Sequence, residues 1–217
     1  MGDNKIWYYK KLDFPELPLE LKNRFDQLVK EKLLQVPDNI HTITNPSQDG
    51  YLNYNYHQVP PTQIENNTFP GGEYFYTELT PEFKSWFREN ISATAGFLRF
   101  STHKPDPSSP ITRLSPHVDF QRSYGLNYVH VPGGTNVKTV FYQEQGHPVI
   151  RSNPPISVKS PLIKLAEITI PVNTWHLLRT DIVHTVEFMT GPRIRITADP
   201  DQLEIDAFES HVVDTLQ

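Results

Sequence analysis

Residues 181–198 read Asp181-Ile-Val-His-Thr-Val-Glu-Phe-Met-Thr-Gly-Pro-Arg-Ile-Arg-Ile-Thr-Ala198. Two short runs rich in β-branched residues, Ile182 to Met189 and Arg193 to Ala198, flank Gly191-Pro192, a pair that suits a turn and neither a helix interior nor a central strand. The same pattern extends upstream through Phe97 to Thr102, Thr112 to Pro116, Tyr124 to Val131, Val137 to Gln143, Ile163 to Ile170 and Thr174 to Leu178. Pro132-Gly133-Gly134 and Gly191-Pro192 fall where hairpins should turn. Short strands punctuated by glycine and proline predict a mainly β chain, a sandwich or jelly roll.

Ahead of these runs the pattern differs. Residues 1 to 14 read as an extended lead-in. Leu19, Leu21, Phe25, Leu28, Val29 and Leu33 form a helical stripe, so Glu20 to Gln35 is predicted as an amphipathic helix ending before Pro37. Residues 38 to 76 are rich in Asn, Tyr, Pro and Gly and predict irregular structure with one or two short strands, with Pro70-Gly71-Gly72 as a turn. Thr80 as N-cap, Pro81 at the first helical position and Glu82 at the positive end of the dipole open a second helix, running to about Ile91. Residues 1–94 are therefore expected to be a helical, irregular portion bracing a core at 95–217, within one structural domain.

Composition agrees and excludes several function classes. The chain has 217 residues, 12 % aromatic, with 20 prolines against 10 glycines, which suits strands and prolyl turns better than a helical bundle. The net charge is −5 and no basic run exceeds Lys10-Lys11, so no phosphate-tracking surface is visible; nucleic acid is not an expected partner, although a spaced set such as Arg99, Arg113 and Arg122 escapes a run count. The chain contains no cysteine, which excludes disulfides, thiolate metal sites and thiol nucleophiles. No stretch approaches the ~18 apolar residues of a spanning helix and Met1 to Lys11 has no apolar signal core, so a cytoplasmic protein without a membrane partner is expected.

The chemistry-bearing residues are His117, Asp119 and His184. On an extended segment His117 and Asp119 project to one face, since strand side chains alternate. His184 lies in the penultimate predicted strand and could close the set from a neighbouring sheet. Two imidazoles and one carboxylate make a facial ligand set that leaves the opposite positions of an ion open. Arg193, nine residues past His184, could hold a carboxylate. Arg195 and Thr197 share its face by parity. His176 has the parity of His184 but lacks a basic residue at useful spacing. His130 either lines a cavity or faces solvent, and His41, His57, His103, His147 and His211 read as surface or loop residues.

This ordered set resembles the Fe(II)- and 2-oxoglutarate-dependent dioxygenases, and His117-Val-Asp119 with Gly125-Leu-Asn-Tyr128, Gly133-Gly134 and Thr139-Val-Phe141 looks like their prolyl-hydroxylase-like or aspartyl/asparaginyl-hydroxylase-like branches. The resemblance covers about residues 95 to 200. It implies a double-stranded β-helix (jelly roll) core, with Fe(II) held by His117, Asp119 and His184 and with O2 and 2-oxoglutarate as co-substrates. Arg193 is then the clamp for the distal carboxylate of 2-oxoglutarate. Many members carry serine or threonine where Arg195 stands, which makes Arg195 the rival clamp. The implied reaction hydroxylates a C–H bond and releases succinate and CO2; Asp119 argues against halogenation, because related halogenases lack that carboxylate. Tyr128, Asn127 and Trp175 are candidate suppliers of hydrogen bonds that orient the ligands.

The substrate class stays open among an amino acid, a peptide side chain and a small metabolite, with Tyr51, Tyr54, Tyr56, Tyr74 and Tyr76 as a possible lid or packing surface. Two other readings compete. One is a cupin-like metal enzyme without 2-oxoglutarate, disfavoured because the first strand offers one histidine and an aspartate where cupins place two histidines. The other is a non-catalytic jelly-roll binding module, which predicts no metal in the purified protein.

Overall fold

A computed structural model describes residues 6–35, 51–52, 71–76, 79–94, 98–105, 118–119, 123–144 and 162–217. Its described part is mainly β, with antiparallel sheets and few helices. The strands are β1 (Tyr9–Leu12), β2 (Tyr51–Leu52), β3 (Gly71–Tyr76), β4 (Leu98–Pro105), β5 (Tyr124–Pro132), β6 (Lys138–Glu144), β7 (Leu162–Ile168), β8 (Trp175–Arg179), β9 (Val183–Glu187), β10 (Arg193–Ala198) and β11 (Val212–Leu216). Helices α1 (Leu19–Gln35), α2 (Pro81–Asn90) and α3 (Gln202–Ala207) accompany them. One sheet runs β11-β1-β8-β5-β10-β4-β3-β2 and the other β7-β6-β9. This arrangement is consistent with a sandwich or jelly roll. The predicted strand Thr112 to Pro116 lies outside the described residues.

Alternation along the strands sorts the two faces of the larger sheet. Leu126 and Tyr128 of β5, Trp175 and Leu177 of β8, and Ile196 and Ala198 of β10 pack with Phe25 of α1, Phe83 and Phe87 of α2 and Phe208 after α3. Trp175 centres this cluster, its ring 5.1 Å from that of Tyr128 and 5.5 Å from that of Phe87. Each such ring contributes about 2–3 kcal/mol through removal from water. Across the sheet, Tyr9, Val129 and Leu178 meet Phe141, Ile170, Ala166 and Ile168, so this second face packs on the smaller sheet. The space between the sheets is where the candidate site lies.

Local signals act as their chemistry predicts. Thr80 caps α2 by accepting from Phe83 N at 3.3 Å, with Pro81 at the first helical position. Asp201 caps α3 by accepting from Glu204 N at 2.9 Å, while the Glu204 carboxylate accepts from Ser92 Oγ at 2.6 Å and Thr94 N at 3.0 Å, tying α3 to the end of α2. The carboxy-terminal α3 and β11 were not expected. Strand β11 has no apolar alternation to betray it; it pairs with β1, and the lead-in is thus a strand of the larger sheet.

Three expectations about turns change. Gly71 and Gly72 lie inside β3, opposite Pro105 and Lys104, and are not a turn. Pro132-Gly133-Gly134 and Gly191-Pro192 are not hairpin turns: the first leads from β5 in the larger sheet to β6 in the smaller, and the second from β9 back to β10. These two corners are bonded to each other. Thr190 N and Gly191 N both donate to Gly133 O, at 2.8 and 2.9 Å. Gly133 holds φ +91°, and a Cβ there would come within 3.1 Å of Arg193 Cβ and 3.3 Å of Gly191 O. A glycine is required at this crossing both by conformation and by space.

Candidate functional site

Asp119 and His184 come together at the corner between β8 and β9. Asp119 N donates to Thr180 O at 2.8 Å, and Thr180 N donates to Ser123 O at 2.9 Å, which stitches the Asp119 segment to the end of the larger sheet. Val118 beside it is buried against Val183, Tyr142 and Leu162. Val118 packs against Val183, while the Asp119 carboxylate lies toward the next residue of that strand, His184.

His184 stands in β9 opposite Phe141 of β6, with their rings 6.3 Å apart. Its Nδ1 lies 2.9 Å from Ile182 O. Since a carbonyl only accepts, Nδ1 carries the proton and Nε2 is the ring's acceptor nitrogen. Nε2 is 4.0 Å from Asp119 Oδ1. That distance is too long for a hydrogen bond, and it is longer than the roughly 3.0–3.4 Å that separates two donors of one ion at angles of roughly 90–109° with ligand bonds near 2.1 Å, so the pair must close by about 1 Å to share an ion in a facial set. An imidazole anchored through Nδ1 to a carbonyl, with Nε2 facing a carboxylate, has the orientation that metal-binding histidines usually show. An imidazole nitrogen and a carboxylate oxygen are donor types that a divalent metal takes. His117 lies outside the described residues, and among the described residues no group of three metal-ligating side chains occurs.

Arg193 opens β10, 6 % exposed, and its Nη1 donates to Pro132 O at 2.9 Å. Arg195 is half-buried and Thr197 fully buried further along the same strand. In register, His176 of β8 lies opposite Asn127 of β5, and Asn127 lies opposite Thr197 of β10. Residues directly opposite share a face, so His176, Asn127, Thr197, Arg195 and Arg193 all line the side toward the smaller sheet. Val129 and Leu178, two residues beyond Asn127 and His176 on that face, pack with Phe141, the neighbour of His184. The arginines and His184 therefore face one interior from opposite sheets.

His176 is the member that sequence reasoning set aside. Its pKa is pushed down to about 3, first by complete burial, opposed by the Thr174 carbonyl, and then by the positive charges of Arg193 and Arg195. It is a neutral imidazole at any ordinary pH. No basic residue stands at useful spacing along the chain, but the charges of the two arginines act on it across strands, from a part of the sequence that spacing arguments do not inspect.

Other candidates separate by face. Tyr128 and Trp175 belong to the helix-covered side, where Tyr128 Oη donates to Asn173 Oδ1 at 3.2 Å and Trp175 Nε1 to Pro15 O at 3.1 Å, so neither orients a ligand of the interior. Only Asn127 of the three faces the site. His130 neither lines the interior nor faces open solvent. It continues the Leu126–Tyr128 face of β5 toward α1, where it pairs with Asp26 and meets the Phe25 ring at 5.1 Å. His211 is a surface residue paired with Asp13 at 3.0 Å. His41, His57, His147, Arg113 and Arg122 lie outside the described residues, as do Tyr54 and Tyr56.

No known protein family and no curated protein matches the sequence. Among solved structures, a prolyl-4-hydroxylase of Pseudomonas putida is similar with a TM-score of 0.41 and 8 % identity, over 90 % of this chain and 94 % of that one. The E. coli protein ycfD is similar with a TM-score of 0.36 and 12 % identity, over 66 % of this chain and 38 % of its own length. No helix among the described residues is long and apolar enough to cross a membrane.

Proposed function

We propose that this chain is a non-heme Fe(II)- and 2-oxoglutarate-dependent oxygenase with a jelly-roll core, hydroxylating a C–H bond of an amino acid, a peptide side chain or a small metabolite in the cytoplasm. The observation that carries the reading is the anchored His184 imidazole, with Nε2 turned to Asp119, facing an interior that also holds two arginines from the opposite sheet. The sheet orders, with the chain crossing between sheets from β5 to β6, β7 to β8, β8 to β9 and β9 to β10, support the jelly roll.

His117, Asp119 and His184 would hold the iron, which when bound with 2-oxoglutarate supplies dioxygen activation, releasing succinate and CO2. The protein's part is placement. The carbonyl of Ile182 keeps His184 in one tautomer and ring orientation, and the Thr180 carbonyl fixes the backbone of Asp119. Arg193 offers a planar guanidinium to the distal carboxylate of 2-oxoglutarate, from a position stiffened by Pro132 O and the corner at Gly133. Burial of Phe141, Val129 and Leu178 lowers the local dielectric and strengthens these charge interactions.

The test is anaerobic titration of the chain with Fe(II) and 2-oxoglutarate, followed by visible absorption. A charge-transfer band requiring both components is expected. Metal binding with no response to 2-oxoglutarate would return the cupin-like reading, and no metal binding would leave a binding module.

A further inference from the structure

Between Arg193 and the metal-proximal corner, the interior face of the larger sheet carries three polar atoms that are buried without a hydrogen-bond partner among the described residues: Tyr9 Oη, His176 Nε2 and Asn127 Oδ1. Each side chain is at most 1 % exposed. They are neighbours. Strand β8 runs between β1 and β5, the Tyr9 and His176 rings are 5.7 Å apart, and His176 is directly opposite Asn127.

Their hydrogen-bonding roles follow from their other contacts. Asn127 Nδ2 donates to Gly125 O at 2.9 Å, which leaves Oδ1, an acceptor, toward the interior. His176 Nδ1 lies 3.3 Å from Thr174 O and carries the ring's single proton, which leaves Nε2 as an acceptor. Tyr9 is held as a phenol, its pKa raised to about 12 by burial and by Asp214, and so brings a donor. Two acceptors cannot satisfy each other, and one phenol proton cannot serve both.

We propose that Tyr9, His176 and Asn127 form a buried binding site for one neutral hydrogen-bonding molecule, a water, which donates to His176 Nε2 and Asn127 Oδ1 and accepts from Tyr9 Oη. A water has the two donors and the acceptor capacity that the trio lacks, and polar interiors with this complement hold ordered water. An ionised carboxylate brings acceptors only and cannot donate to either His176 Nε2 or Asn127 Oδ1. The site uses none of the proposed metal ligands and stands apart from the oxygenase reading.

The experiment is solution NMR on the metal-free, isotope-labelled chain at neutral pH. In long-range ¹H–¹⁵N spectra, His176 Nε2 is expected at the position of an unprotonated, hydrogen-bonded nitrogen, and its ring Cε1–H is expected to show a water cross-peak with the sign of a slowly tumbling, bound molecule. Tyr9→Phe deletes one oxygen and should weaken that cross-peak severalfold while the imidazole keeps its tautomer. A protonated Nε2, a missing water contact in the parent, or a contact unchanged in Tyr9→Phe would each overturn the site.

Discussion

Acid should unfold this protein partly through His176. The histidine is neutral in the fold, with a pKa near 3 against 6.5 in an unfolded chain, so between those values the unfolded state binds the extra proton. Stability is then fully present above about pH 6.5 and is lost as pH falls toward 3. At pH 5 the unfolded histidine is favoured by about 1.5 pH units of proton binding, or roughly 2 kcal/mol, a large fraction of a typical domain's stability. The interior groups responsible are the burial itself and the guanidiniums of Arg193 and Arg195; the nearby phenol of Tyr9 stays neutral throughout the window. The assay is urea unfolding of the metal-free protein in chelator at pH 8, 7, 6 and 5, beside His176→Gln, whose buried amide cannot titrate. Because other histidines and carboxylates titrate in both proteins, the informative quantity is the difference between their pH profiles. The parent should lose about 2 kcal/mol more than the variant between pH 8 and 5. Parallel profiles would refute the claim that this imidazole is buried neutral under two positive charges.

Other substitutions probe the rest of the interior. Asp119→Ala should abolish succinate release and weaken Fe(II) binding, while urea unfolding changes by less than about 1 kcal/mol, since a site carboxylate contributes little to the core; equal succinate from variant and parent would end the oxygenase proposal. Arg193→Ala should raise the 2-oxoglutarate concentration for half-maximal turnover by about 10–100-fold through loss of a charge-assisted fork, and the same effect in Arg195→Ala alone would move the clamp to Arg195. Gly133→Ala should cost about 1–3 kcal/mol in thermal or urea unfolding, because φ +91° is strained for alanine and the new methyl meets Arg193 Cβ at 3.1 Å. A neutral result there would mean the two corners are not clasped as described.

Much of the architecture could be read from local chemistry. The Thr80-Pro81 cap, the stripe Leu21, Phe25 and Leu28, and the β-branched runs around His184 and Arg193 each act within a few residues, so a linear chain displays them. The corners misled for a physical reason: a proline-glycine break looks the same whether the next strand returns beside its predecessor or crosses to another sheet, and only pairing partners distinguish the two. Strand β11 and the lead-in strand β1 escaped because neither alternates strongly; β1 is held between β11 and β8, and β11 by β1 alone.

Of the site, the residue types and their order along the chain were fixed before folding: a histidine and an aspartate two apart, a later histidine, and an arginine on the strand that follows. What tertiary structure alone decides is which side chains share an interior. Register places His176, Asn127 and Thr197 in one row although they stand on three strands spread over residues 124–198, and burial then makes that imidazole neutral beside two arginines. Side-chain charge and hydrogen-bonding capacity are properties of a residue, whereas dielectric environment and cross-strand neighbours belong to the packed sheets, and no spacing along the chain encodes them.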